Sequence, residues 1–206
     1  MASPQLTRDS MIGPFPLPPV DESLRAQARS MPGQWIGFTD PAIDPSAPDP
    51  PQFAVQGGYR ADDSGRIADY RINPHYEPSE LRAGFRCASP FELTLWRALN
   101  GFNPVGMLAD AFSRATLLAY VEHEDDDQLP AVPDPHQPEI PLLLLCSSAA
   151  FCSWPHAREV TGSFVLHLAG HTDAVLTLNP GTDLSLRLEA RQLLELTEQP
   201  APRADG

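Results

Sequence analysis

Twenty-four prolines are spread through 206 residues, and they limit the length of every regular element the chain can form. A proline inside a helix removes a hydrogen bond and clashes with the preceding turn, and in a central strand it breaks the ladder. Helices and strands must therefore be short and lie between the prolines. Pro14, Pro16, Pro18 and Pro19 make the first twenty residues a leader that is expected to be poorly ordered. Asp40-Pro41, Asp44-Pro45 and Asp49-Pro50 interrupt a second stretch, and prolines from 130 to 141 interrupt a third.

The segments between these joints predict an α+β fold. Asp21 caps a short helix, Glu22 to Arg29, whose Leu24 and Ala28 lie one turn apart. Phe53 to Ala61 and Arg66 to Ile72 form a β-hairpin about the turn Asp62-Asp63-Ser64-Gly65, with Gly57-Gly58 as a candidate bulge. Ser89-Pro90-Phe91-Glu92 is a capping box opening an amphipathic helix over 90–101. Asn103-Pro104 restarts a second helix carrying Val105, Leu108, Ala109 and Phe112.

Beyond these helices, Thr116 to Val121 is a strand that leads into an acidic loop over 122–138, read as solvated and mobile. Leu142 to Leu145 is a strand apolar on both faces, and Ser147 or Ser148 caps a short helix through Trp154. A brief strand at Val160, a helix from Gly162 to Leu168 closed by Gly170, strands Ala174 to Leu178 and Leu184 to Leu188, and a helix Arg191 to Leu196 complete the pattern. The order ααββαβαββα implies a mixed central sheet with helices packed on it. The expected organisation is a leader and short helix over 1–30, partly disordered. A small β-hairpin module over 31–85, an α+β domain over 86–197 and a disordered tail over 198–206 follow.

Charge restricts the partners. The chain has a net charge of −13, and all 14 of its Lys-plus-Arg residues are arginine. Nucleic acid and anionic membrane both require clustered cations, so neither is expected to bind. The aromatics Trp35, Tyr59, Tyr70 and Tyr76 near Arg60, Arg71 and Arg82 are interleaved with Asp62, Asp63 and Asp69, so they read as cross-strand packing and not a base-stacking strip. No stretch approaches the roughly 20 apolar residues of a membrane helix, and the leader does not read as a secretory signal. Cys87, Cys146 and Cys152 are odd in number and lack framework spacing, which fits reduced thiols and a cytoplasmic setting.

Residue chemistry alone names no reaction. There is no phosphate loop, dinucleotide fingerprint or Gly-x-Ser-x-Gly elbow. Cys146, Cys152 and His156 have a superficial metal look, yet no Cys-x-x-Cys pair supplies half a zinc site. His167 and His171 have helical i,i+4 spacing, but Gly170 falls between them. Glu122, His123, Glu124, Asp125, Asp126 and Asp127 form an anionic run without the alternation of a calcium loop. Asn179, Pro180, Gly181, Thr182 and Asp183 read as a turn between two strands or as a ligand-binding turn. The turn 179–183 and the acidic residues Glu122, Glu124, Asp125, Asp126 and Asp127 are the candidate interaction surface. No catalytic, metal or cofactor-binding residue is assigned, and no cofactor is expected.

Two resemblances add context. The stretch 86–197 resembles the N-terminal domain of the SseB (enhanced serine sensitivity) family. It does so through the helix pair ending at Ala115, the strand Thr116 to Glu122, Ser-Ser-Ala-Ala-Phe-Cys-Ser-Trp at 147–154, and Leu-Thr-Leu-Asn-Pro-Gly-Thr-Asp-Leu-Ser-Leu-Arg-Leu at 176–188. Many relatives have Phe-Thr-Ser where this chain has Leu-Cys-Ser. The earlier part resembles actinobacterial proteins described as type VII secretion system-associated, through Pro32-Gly33-Gln34-Trp35, Asp40-Pro41, Arg71-Ile72-Asn73-Pro74-His75-Tyr76 and Pro78-Ser79.

Together the resemblances imply a non-catalytic, cytosolic accessory of an ESX-like export system, with a secretion component or substrate as its protein partner. The alternatives are a small cysteine- or metal-dependent hydrolase using Cys146, Cys152, His156 or the acidic loop, and an immunity protein neutralising a basic toxin.

Overall fold

The computed structural model describes residues 5–44, 49–126 and 128–199. It divides into two compact units, Phe15–Arg86 and a discontinuous unit made of Met1–Pro14 with Cys87–Gly206.

In the smaller unit, helix α1 (Glu22–Ser30) begins where the Asp21 carboxylate accepts the Leu24 N–H at 2.8 Å. Three antiparallel strands follow in the order β1 (Trp35–Thr39), β2 (Val55–Ala61) and β3 (Ile67–Ile72). The predicted hairpin is β2–β3, and β1 is a strand that the Asp-Pro-rich composition around it concealed. Ladder irregularities fall at Phe38/Thr39 and Arg60/Ala61, flanking Gly57-Gly58. Leu24 and Ala28 bury against Ile36, Tyr59 and Ala61, with Phe38, Ile67 and Tyr70 at the margin. The Tyr59 and Tyr70 rings lie 4.5 Å apart across the strands, as expected of cross-strand packing, whereas Trp35 is on the opposite face beneath the Arg71 guanidinium.

The expected boundary at residue 30 is therefore displaced. Helix α1 supplies two of the five buried residues of this small core, because a three-stranded sheet cannot bury one face by itself. Pro16 and Pro18 belong here too, their carbonyls accepting from the Gln56 side chain and the Tyr59 hydroxyl, both at 2.8 Å. Asp40, 3% exposed, accepts from the Ser79 hydroxyl and N–H, the Ala42 N–H and the Tyr76 hydroxyl. Burial alone would raise its pKa, and these bonds outweigh it and hold the carboxyl below the usual range. A short helix, α2 (Glu80–Ala83), ends the unit.

The larger unit holds α3 (Pro90–Leu99), α4 (Val105–Arg114), α5 (Gly162–Ala169) and α6 (Ala190–Glu198). Its strands are β4 (Thr116–Tyr120), β5 (Val132–Pro133), β6 (Pro141–Cys146), β7 (Ala157–Thr161), β8 (Val175–Leu178) and β9 (Leu186–Glu189). The sheet order is β7-β4-β6-β8-β9, with β5 added beside β6; β6 and β8 run parallel and the other pairs antiparallel. The α+β class and the mixed sheet are as expected.

One sheet face carries Leu117, Ala119, Leu143, Leu145, Leu176 and Leu178, all buried, while α4 packs against α3, α5 and α6. On the other face Cys146 and Tyr120 meet the connection after β6: the Cys146 thiol bonds to the Phe151 carbonyl and the Tyr120 ring packs edge-on against Trp154. Leu142, Leu143, Leu145 and Cys146 are all buried, so β6 is covered on both faces. The helix expected through Trp154 is only a 3-10 turn, Ala149–Phe151, without a side-chain cap from Ser148.

The leader departs from expectation as well. Helix α4 starts at Pro104 without a side-chain cap, so its first N–H groups lack partners of their own. The leader supplies them: Val105 N–H bonds to the Ser10 carbonyl at 2.8 Å and Gly106 N–H to the Arg8 carbonyl at 2.9 Å. The Arg8 guanidinium pairs with Asp110 of α4 and donates to the Leu196 carbonyl in the last turn of α6. At Gly106 a Cβ would lie 2.8 Å from the Arg8 carbonyl oxygen, which is why glycine stands there. Glu198, assigned from sequence to a disordered tail, is the last residue of α6, and residues 200–206 of that tail lie outside the described residues.

Gly106→Ala gains about 1 kcal/mol of helix propensity but forces the leader away from α4. The expected outcome is faster tryptic cleavage after Arg8 and a net loss of about 1 kcal/mol in urea unfolding.

Candidate functional site

The two segments proposed from sequence occupy opposite ends of the larger sheet. Leu118 and Ala119 of β4 pair with Cys146 and Leu145, so β4 runs from the C-terminal end of β6 toward its N-terminal end. The acidic run after β4 lies at that N-terminal end. Leu145 pairs with Leu178, so the 179–183 turn after β8 lies at the C-terminal end. The strand directions rule out a single surface built from both.

The turn is a structural knot on its inner side. Asn179 is fully buried and left-handed, with φ of 45°, a conformation that asparagine tolerates better than most residues. Its N–H donates to the Leu145 carbonyl, its side-chain oxygen accepts the Ser147 N–H at 2.8 Å, and its side-chain amide reaches the Leu184 carbonyl. The Thr182 hydroxyl returns to the Asn179 carbonyl at 2.9 Å. Gly181 and Asp183 are exposed, and they form the outward part of the turn.

A residue read only as a helix cap joins this knot. Glu92 is 1% exposed; its Oε1 accepts the Ser147 hydroxyl at 2.9 Å and its Oε2 the Ala88 N–H at 2.6 Å. Ser89 caps α3 as predicted, its hydroxyl accepting the Glu92 N–H. Glu92, however, reaches back to Ala88, one residue before the usual capping-box partner. The signal for its burial was available: Glu92 precedes Leu95 and Leu99 by three and seven positions, on the apolar stripe. The resulting chain, Glu92–Ser147–Asn179, binds α3 to the ends of the parallel strands β6 and β8. Such strand ends are where open α/β sheets commonly bind ligands. Here the polar groups bond to one another, and Ser147, 5% exposed, donates its proton to a carboxylate with no histidine in the network.

The acidic run presents an outward surface. Glu122, Glu124 and Asp125 are exposed, whereas Asp126 is half-buried and closes the turn by accepting the His123 N–H at 2.8 Å. Arg158 of β7 reaches the Asp126 carbonyl at 3.4 Å, so the turn is tied to the edge strand. Asp127 lies outside the described residues. The second half of the predicted mobile loop is anchored. Val132–Pro133 pairs with β6, and Asp134, 1% exposed, forms an ion pair with Arg187 of β9. The His136 N–H first, and then the Arg187 guanidinium, hold the Asp134 carboxyl below its usual range.

Cys146 and Cys152 do approach one another. The Cys146 thiol is pushed up to about 12, by burial first and then by the neighbouring Cys152 thiol. It is protonated at neutral pH and poorly suited to nucleophilic attack. Helix α5 stops at Ala169 with Gly170 as its cap, so His167 is on the helix, His171 is beyond it, and both are exposed. Among the described residues no group of three His, Cys, Asp or Glu side chains could hold a metal ion, and no helix is long and apolar enough to cross a membrane. No protein-family model, curated protein or solved structure matches the chain.

Glu92→Ala strands the Ser147 hydroxyl and the Ala88 N–H and leaves a void, so urea unfolding should show a loss of about 2–4 kcal/mol. Glu92→Gln keeps an acceptor and should lose about half as much. Iodoacetamide at pH 8, read by peptide mass spectrometry, should label Cys152 well before Cys146, and Cys146 should react at an ordinary rate only after unfolding.

Proposed function

We propose that the chain is a non-catalytic protein-interaction module serving a type VII, ESX-like secretion system from the cytoplasm, with residues 86–197 as an SseB-like domain. The observation that carries this reading is the acidic turn: three exposed carboxylates, on Glu122, Glu124 and Asp125, stand on a loop tied to an edge strand. Strand β7 is last in the sheet order, and Ala157, Arg158 and Glu159 are exposed along it. An edge strand accepts an extended segment by main-chain bonding, and neighbouring carboxylates select one that carries basic residues. The partner is then a basic, extended segment of a secretion component or substrate. The non-catalytic part of the reading is supported by what the polar groups already do. Glu92, Ser147 and Asn179 bond to one another, and the Cys146 thiol stays protonated.

Affinity co-purification from a native host should recover a secretion component or substrate. Replacing the carboxylates together (Glu122→Gln, Glu124→Gln, Asp125→Asn) should weaken that complex at least about tenfold, with the salt dependence of binding reduced. Repeated recovery of no secretion protein, or undiminished capture by the triple variant, would overturn the proposal.

A further inference from the structure

In the smaller unit the hairpin turn between β2 and β3 closes onto helix α1. Gly65 has φ of 75°, and a Cβ there would lie 2.8 Å from the Arg29 Cα and 3.2 Å from the Ala28 carbonyl oxygen. Only glycine allows so close an approach. The approach forms a groove of about 360 Å³ whose lining is Val20, Arg25, Arg29, Ser64, Gly65, Arg66 and Ile67. Arg25 and Arg29 come from α1 and Arg66 from the hairpin, so three of the 14 cationic side chains of an acidic protein line one space. No carboxylate is part of that lining.

All three arginines have an acidic neighbour. Glu22 accepts from Arg29 at 2.6 Å and stands 3.8 Å from Arg25. The Arg66 Nε donates to the Ser64 hydroxyl at 2.9 Å and lies 3.5 Å from Asp62. Asp62 in turn fixes the turn by accepting the Ser64 and Arg66 N–H groups, both at 2.9 Å. A guanidinium carries five N–H donors, so donors remain on each arginine after these contacts.

We infer that this groove binds a phosphate monoester with a small apolar stem. The N–H donors left on three arginines of one groove suit the three oxygens of a phosphate dianion, whereas a carboxylate is satisfied by one arginine fork. Val20 and Ile67 provide apolar wall for the ester's stem, and the volume lies at the lower end of the range for small-molecule sites. The chain's overall charge of −13 repels a long polyanion, which selects a small ligand over nucleic acid.

The test uses the full chain at low ionic strength, because the arginines are exposed and screened by salt. Phenyl phosphate, inorganic phosphate and benzoate are titrated by calorimetry, with phosphorus NMR as a second readout. Phenyl phosphate should bind saturably, tighter than inorganic phosphate and at least about tenfold tighter than benzoate. Arg29→Gln and Arg66→Gln should each weaken it about tenfold, while Arg114→Gln, in the other unit, leaves it unchanged. Glu22→Gln should tighten it by releasing Arg29 from a competing carboxylate. Arg66 has a side chain 81% exposed, so its replacement tests the site without threatening the fold. No saturation below about 10 mM, equal affinity for benzoate and phenyl phosphate, or equal weakening by Arg114→Gln and Arg66→Gln would overturn the inference.

Discussion

The larger unit depends on one buried carboxylate. Glu92 enters the interior at the first turn of α3 with no cationic side chain bonded to it, and an isolated charge there would be costly. Its position makes burial tolerable. The N-terminus of a helix carries partial positive charge, and the Ala88 N–H and Ser147 hydroxyl satisfy its oxygens. Ser147 must then sit at the end of β6, and its own N–H is oriented by Asn179 at the end of β8. Helix placement, the strand ends and the left-handed turn are thus parts of one hydrogen-bonded chain. A group so thoroughly used inside the fold is unavailable for chemistry outside it.

The leader answers a similar demand. Helices leave unsatisfied N–H groups at one end and carbonyls at the other, and this chain lacks a capping side chain at the start of α4. Residues 8–10 meet both needs, with backbone carbonyls for α4 and the Arg8 guanidinium for α6. A segment from the far N-terminus therefore completes a unit whose remainder begins at Cys87. The leader turns here, with the Ser10 N–H bonded to the Thr7 carbonyl, and the turn leaves the Arg8 and Ser10 carbonyls open to accept.

Much of the local structure was legible. The Ser89 cap, the Gly170 stop, the β2–β3 hairpin and the apolar β6 all follow from turn chemistry and periodicity, which act over a few residues. What escaped was set by contacts distant in sequence. Strand β1 lies between Pro32-Gly33 and Asp40-Pro41, which read as turns, and it is a strand because β2 pairs with it. The anchoring of Asp134 requires Arg187, more than fifty positions away. The groove on α1 was invisible because two strands and their connections separate Arg66 from Arg25 and Arg29, and the close approach at Gly65 brings the hairpin turn to the helix.

By itself the sequence determined an acidic α+β protein with short, proline-bounded elements, and it identified where most helices and strands begin and end. Those properties depend on composition and on neighbours within a turn or two. Tertiary structure alone decided that the two candidate surface segments lie at opposite ends of the sheet, that Asn179 faces inward, and that Glu92 binds α3 to β6. Strand direction and burial are set by pairing partners far along the chain, and local sequence carries no record of which partner is chosen.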